Sequence, residues 1–414
     1  MTPKFTSKEI GFLKAGSDQS IAGPPDRFYS DLVLCPSDQL TNFRQRLEQS
    51  RIPKDRLLCA VLKVSEKLSG EDLEQAKEVF EASFQALLDK TPGKTSLRGI
   101  WEALDQRSFI LAFWDYTQKK KAERVLTSLK TKISSALETP ILGGAALHPF
   151  KNFQVADIAG NALKAIDHAA FFGPDHLVYF DAVSLNISGD RLYQTGRYNK
   201  AIKEYEKGLF LEPKNVNLMN SLGVCHGVAG HLDQAMAEFE KAVSLAPKEF
   251  MVLHNIGLVH QIREDDARAV AYLKKAHAIN GQLFEVELLL GRLLLKGKAY
   301  DQAREHLESA LKLAPESGPA LRSMGELHLA NNDVARAGLE FNRAVKINPT
   351  DAAALSGYAK AMCDQGKNLK IALTFAKKSL SLEPDNLTFK SRLEEITRSL
   401  EQAEQNKEPG IKSA

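Results

Sequence analysis

Cysteine and tryptophan are scarce in this sequence, and long apolar runs are missing. Cys35, Cys59, Cys225 and Cys363 are spread over 414 residues with no Cys-x-x-Cys pair. That spacing signals neither a zinc site nor a disulfide framework, so the expected state is four reduced, buried thiols. No window approaches the roughly 18 consecutive apolar residues of a membrane span. An excess of one charge is also lacking: 55 basic against 52 acidic side chains leave a formal charge of +3. This balance gives no drive toward nucleic acid or anionic lipid. Met1 to Pro25 has no signal-type apolar core, Ile10 to Leu13 being too short, and the expected location is cytoplasmic. There is no Walker loop, no Gly-x-Ser-x-Gly, no His-Glu-x-x-His and no Gly-x-Gly-x-x-Gly, which removes the commonest signatures of nucleotide, hydrolase and zinc-protease chemistry.

A beat of 34 residues fills the second half. Prolines fall at Pro213, Pro247, Pro315, Pro349 and Pro384, with gaps of 34, 68, 34 and 35. The empty slot holds Gly281 after Asn280; Asn-Gly is expected to stop a helix there through a left-handed C-terminal residue. Two residues before each stop stand Leu211, Leu245, Ile279, Leu313, Ile347 and Leu382. A small residue recurs early in each unit, Gly189, Gly223, Gly257, Gly291, Gly325 and Ala359. Twelve residues later comes alanine at 201, 235, 269, 303 and 337, and four further on a large apolar residue: Tyr205, Phe239, Leu273, Leu307 and Phe341.

Such a unit is two antiparallel helices joined by a short turn. The glycine and alanine fall where the helices pack most closely, and the aromatic fills the space beside them. One hairpin cannot bury its own apolar face, whereas a stack can. The pattern, repeated six times from Ala182 to Asn386, resembles the tetratricopeptide repeat family. The fourth position, aromatic in that family, holds Leu185, Met219, Leu253, Glu287, Leu321 and Leu355. The sixth unit has one extra residue, placed in its turn near Gln365 to Lys370. A capping helix follows over 387–404, with Phe389, Leu393, Ile396, Leu400 and Ala403 on one side and a wet outer face; residues 405–414 are expected to be a flexible tail.

The resemblance implies a protein or peptide partner held in a groove lined by the first helix of each hairpin. Carried over by position, the lining residues are Asn186, Asp190, Asn217, Asn220, His254, Leu258, Arg292, Arg322, Glu326 and Lys360. The plain alternative for any of them is a solvated polar residue. Arg292, Arg322 and Lys360 would favour a partner with carboxylates toward the C-terminal end. Asn186 and Asp190 do not reproduce the family's carboxylate clamp. His226, His254, His260 and His328 are spread over three hairpins without ligand spacing, so no metal is expected.

The first half alternates strand and helix. Residues 1–26 are polar, with glycine and proline punctuation, and are expected to be disordered. A helix capped by Ser37 covers Asp38 to Gln49. Strands are expected at Leu57–Val64, Ile100–Leu104, Ser108–Trp114, Ile141–Leu147 and His176–Phe180, with helices at Glu71–Leu88, Lys120–Leu137 and Val155–Ala170. The fold class is therefore α+β multidomain: an N-terminal α/β sandwich of split βαβ kind over 27–181, then an all-α solenoid. Gly143-Gly144 reads as a close-packing point, and Lys119-Lys120-Lys121 as a solvated face.

The element order, the stretch Ala162 to Gly173 and the strand ending Tyr179-Phe180-Asp181 resemble the C-terminal end of GGDEF, diguanylate cyclase-type, domains; Tyr29 to Phe43 is similar to that domain's entry segment. The resemblance implies bacterial signalling, and it locates the metal carboxylates a cyclase would need at the first strand and the hairpin turn. Those places hold Lys63 and Ser65, and the hairpin reads Asp105 to Phe109 with only the phenylalanine kept. Ser96 and Gly99 stand where an Arg-x-x-Asp would be. The expectation is a degenerate domain without cyclase activity, cofactor or metal. It could pair with a second copy of itself, dock a cyclase, or meet nucleotide phosphates through Lys63, Lys94, Arg98 and Arg107. Two readings stay open: a non-catalytic adaptor or scaffold, and a nucleotide or cyclic-dinucleotide sensor that regulates the repeats.

Overall fold

The computed structural model describes residues 27–50, 56–89, 97–116 and 118–405. The disorder expected over 1–26, the tail beyond 405, Lys94 and Ser96 lie outside them. The described residues form two compact units, 27–246 and 247–405.

The first unit contains α1 (Asp31–Leu34), α2 (Asp38–Gln49), β1 (Leu57–Val64), α3 (Glu71–Asp89), β2 (Arg98–Ala103), β3 (Ser108–Trp114), α4 (Lys119–Ala136), β4 (Ile141–His148), a 3-10 turn Val155–Asp157, α5 (Ile158–Ala170) and β5 (Leu177–Tyr179). The sheet order is β2-β3-β1-β4-β5. All neighbours are antiparallel except the β4–β5 pair. β3 therefore lies between the mutually parallel β1 and β2, and β1 between the parallel β3 and β4, which gives two split βαβ units.

β1 is apolar on both faces because both faces are covered. Leu57, Cys59 and Val61 enter one core beneath α2 and α5; Leu58, Ala60, Leu62 and Val64 enter another beneath α3 and α4. Gly144 sits where α5 crosses β4, and a Cβ there would fall 2.0 Å from the Ile166 backbone nitrogen. The close-packing reading of that glycine holds. Asp167 of α5, buried, accepts hydrogen bonds from the Tyr29 and Ser30 amides at 2.7 and 2.8 Å and pins the entry segment.

The same unit continues into two hairpins, α6 (Ala182–Gln194) with α7 (Tyr198–Leu211) and α8 (Val216–Val228) with α9 (Leu232–Leu245). α5 packs on α6 as well as on β4. Lys164 of α5 pairs with Glu204 of α7 at 2.5 Å, and Arg191 of α6 pairs with Asp31 at 2.9 Å.

The second unit holds four hairpins: α10 (Phe250–Ile262) with α11 (Asp266–Ile279), α12 (Phe284–Lys296) with α13 (Tyr300–Leu313), α14 (Gly318–Ala330) with α15 (Val334–Ile347), and α16 (Ala352–Asp364) with α17 (Leu369–Leu382). α18 (Leu387–Gln405) closes it. The sixth hairpin's extra residue lies in its turn, which runs 365–368 where the other turns have three residues.

The recurring glycines work as expected. A Cβ at Gly223 would fall 2.5 Å from the Phe239 ring, and one at Gly325 2.9 Å from Phe341. These rings are fully buried, each burial stabilising by roughly 1.5–3 kcal/mol.

One expectation is overturned. Asn280 does not lead into a left-handed stop: it is extended (φ −141°), as are the residues ending the other second helices, such as Ala246 (−132°) and Ala314 (−138°). Proline forces its preceding residue into this region; Asn280 adopts it with its own Oδ1 accepting from the Gln282 amide at 3.1 Å. The left-handed residues of the repeats lie instead in the turns within hairpins, at Gly196, Gly230, Glu264, Lys298, Asn332, Gly366 and Asn368.

Candidate functional site

In the second unit, first helices of successive hairpins touch one another, α12 with α14 and α14 with α16, while each second helix packs chiefly on the helices before and after it. The first helices thus form the closely spaced wall, and the expected lining residues can be placed on it.

His254 and Leu258 of α10 are buried, with 1% and 7% exposure. They are part of the packing rather than a surface. Burial pushes the His254 imidazole down to about 4, against the weak support of the Asn255 side chain at 3.2 Å. Arg292 of α12 is exposed and has no ion-pair partner among the described residues. Partial desolvation first, and then the charge of Arg322, hold its guanidinium below its usual range.

Arg322 of α14 is neutralised by Asp351, one guanidinium nitrogen lying 2.9 Å from each carboxylate oxygen. Glu326 is gripped by Arg392 at 2.8 and 3.1 Å. Lys360 of α16 pairs with Asp364 and Glu395, each at 2.6 Å. Burial alone would lower its ammonium, but the two carboxylates together raise it. The expected basic stretch of three cations is therefore reduced to one, because the other two already hold internal carboxylates.

Two of these partners, Arg392 and Glu395, belong to α18. Sequence reading gave this helix a wet outer face and missed that one edge of it lies on the wall. The signal was present as two charged residues three apart beside the apolar positions Phe389, Leu393 and Ile396. Leu393 and Ile396 pack with Ala359, Met362 and Ala376, which fixes the helix there.

In the first unit, Asn217 is exposed and Asn220 is 3% exposed. Asp190 accepts from the Tyr205 hydroxyl at 2.7 Å. The side-chain oxygen of Asn186 is buried without a hydrogen-bond partner among the described residues.

In the sheet domain, Lys63 pairs with Glu66 at 2.6 Å. Arg107 donates to the Ser65 carbonyl at 2.8 Å and pairs with Glu66 at 3.3 Å. Arg98 lies 3.6 Å from Asp115. The depression beside the β2–β3 turn is lined by Glu74, Lys77, Glu102 and Asp105, and two of its carboxylates are already paired, Glu102 with Arg46 at 3.0 Å and Asp105 with Arg27 at 2.8 Å.

Family models described as tetratricopeptide repeat or TPR repeat match residues 189–227, 216–249 and 288–352. The second part of the chain is built of tetratricopeptide repeats. All three matches lie beyond the sheet domain. Similar solved structures include the APC/C hetero-tetramer Cut9-Hcn1 (17% identity, 52% of this chain and 43% of that one, TM-score 0.46). Pseudomonas aeruginosa pilF is another (19%, 51% and 95%, 0.47), as is YrrB, a TPR protein with an unusual peptide-binding site (18%, 45% and 95%, 0.39). The chain spans less than half of the Cut9-Hcn1 relative. No curated protein matches the sequence. No helix among the described residues is long and apolar enough to cross a membrane.

Proposed function

We propose that this protein is a non-catalytic adaptor whose tetratricopeptide repeats hold a protein or peptide partner, and that its recognition centres on Arg292. The observation that carries this reading is the charge state of the α12–α14–α16 wall: Arg322, Glu326 and Lys360 are internally paired, and Arg292 alone keeps an exposed guanidinium. A cation whose neighbours are already neutralised is the natural contact for a partner carboxylate. The adaptor works in the cytoplasm, and its sheet domain is a degenerate GGDEF-like module giving a second contact, through pairing with another copy.

Fluorescence anisotropy with acidic, neutral and basic peptide panels tests this on the full chain. Acidic peptides should bind, more weakly as salt rises, and Arg292→Glu should weaken them about tenfold or more. Equal binding of all three panels, or no change in the variant, contradicts the reading.

The nucleotide-sensor alternative is the weaker one. Lys63 and Arg107 both turn to Glu66 and are already paired with it. Calorimetry with GTP and a cyclic dinucleotide should show no binding; heat at micromolar ligand would restore the sensor.

A further inference from the structure

Three departures from the 34-residue pattern converge inside the second unit. Glu287 on α12 stands where the other hairpins carry Leu185, Met219, Leu253, Leu321 and Leu355. His277 on α11 stands where they carry Leu209, Val243, Leu311, Val345 and, after the one-residue shift, Leu380. His306 on α13 takes a place held by glutamate in three hairpins, at 204, 238 and 340. A fourth departure lies alongside: Gly281 replaces the recurring proline, and the position a Cβ would occupy there is 3.4 Å from the His277 ring.

The three side chains meet. His277 Nδ1 lies 2.5 Å from one oxygen of Glu287, and His306 Nδ1 lies 2.8 Å from the other. The two imidazoles stand edge to face with centroids 5.0 Å apart. One ligand atom from each residue falls within 4.8 Å of the others. Glu287 has no exposure, the His306 side chain 14%, and that of His277 41%. A buried carboxylate in a slot that packs an aliphatic side chain elsewhere is costly unless its charge is met. Here the only groups that meet it among the described residues are two imidazoles.

We propose that His277, Glu287 and His306 form a binding site for a divalent transition-metal ion, with zinc the best match. Two imidazole nitrogens and one carboxylate oxygen are a borderline donor set that suits zinc and disfavours calcium or magnesium. Three protein ligands leave a fourth tetrahedral position, open to water on the exposed side of His277. Bonds of 2.0–2.1 Å separate tetrahedral ligands by about 3.3 Å, so binding moves each nitrogen away from the carboxylate by roughly 0.5–0.9 Å. His277, the more exposed ring and the one beside Gly281, has room for that movement. Each Nδ1 now faces a carboxylate oxygen and carries the hydrogen; in the bound form the hydrogen sits on Nε2 and Nδ1 gives its lone pair to the ion. The ion would clip α11, α12 and α13 together, tying two hairpins through Glu287, which lies on the same helix as Arg292.

The test uses untagged full-length protein, stripped with chelator and titrated with zinc by calorimetry and with cobalt(II) by visible absorption. The expected result is one equivalent of each ion per chain, intense tetrahedral cobalt bands, and a melting temperature raised by zinc. Glu287→Leu should fold, because leucine fills that slot in four other hairpins, and His277→Leu should fold for the same reason. Loss of a ligand should weaken binding by at least about a hundredfold, since changes to outer-shell partners alone cost 10–100-fold. A His231→Ala control should bind normally. Absence of stoichiometric binding by the wild-type chain overturns the proposal and leaves a hydrogen-bonded triad only. Retention of binding in His277→Leu, or in a folded Glu287→Leu, overturns it equally, by placing the ion elsewhere.

Discussion

Lys164 and Glu204 form an ion pair at 2.5 Å, with side chains only 7% and 10% exposed, at the joint between α5 of the sheet domain and the first hairpin. Burial pulls the Lys164 ammonium down and the Glu204 charge opposes it. Removing Lys164 leaves the buried Glu204 carboxylate with only the half-exposed Lys207, 3.4 Å away. Lys164→Met should destabilise the protein by about 3–5 kcal/mol, measured by urea unfolding. The double change Lys164→Met with Glu204→Met should recover most of that loss, because two apolar side chains need no partner. If the single change has no effect, the joint is not held in this way.

Gly223 faces the fully buried Phe239 ring, and a Cβ would lie 2.5 Å from it. Gly223→Ala gains about 1 kcal/mol of helix propensity and forces overpacking of roughly 1–3 kcal/mol. The net expectation is a loss of up to about 2 kcal/mol, read as a lower denaturation midpoint. A stabilised variant would show that the ring has room to move.

Lys298 sits at φ +60°, in a turn position that Gly196, Gly230 and Gly366 fill in other hairpins. A side chain there costs roughly 1–2 kcal/mol, and glycine costs part of that back in unfolded-chain entropy. Lys298→Gly should therefore stabilise by about 0.5–1 kcal/mol in thermal unfolding. Destabilisation would mean the lysine side chain contributes a contact that outweighs its backbone strain.

His254 gives a pH dependence of definite sign. The folded chain keeps this imidazole neutral down to about 4, whereas the unfolded chain protonates near 6.5. Above that range both states are neutral and nothing is lost. As pH falls through it, the unfolded state takes up a proton that the folded state refuses, and stability declines, by on the order of 3 kcal/mol by pH 4. His254→Asn, which places there the residue of the first two hairpins, should flatten this slope. An unchanged slope would assign the acid sensitivity to other groups.

Much of the fold is legible because a repeat states its rules several times. Gly189 to Gly325 paired with Tyr205 to Phe341 marked the hairpin contacts, and the apolar run Leu57–Val64, broken only by Lys63, marked a strand buried on both faces. The sequence period did not by itself reveal burial: Leu245, Ile279, Leu313, Ile347 and Leu382 recur as strictly as the core, yet are 41–47% exposed. The candidate site was less legible, because charge on a helix says nothing about what lies across from it. Arg322 looks free in the sequence, and its neutralising carboxylate sits 29 residues away at Asp351; Lys360 has a near partner in Asp364, but its second carboxylate, Glu395, sits 35 residues away. The His277–Glu287–His306 cluster was readable only by asking which units break the pattern, since the three residues share no motif.

Hydrogen exchange on the full chain, with and without the tightest acidic peptide, tests the central claim most directly. The account predicts added protection on the first helices α12 and α14, residues 284–296 and 318–330, with the second helices α13 and α15 unchanged. Protection confined to second helices or to the sheet domain would contradict it.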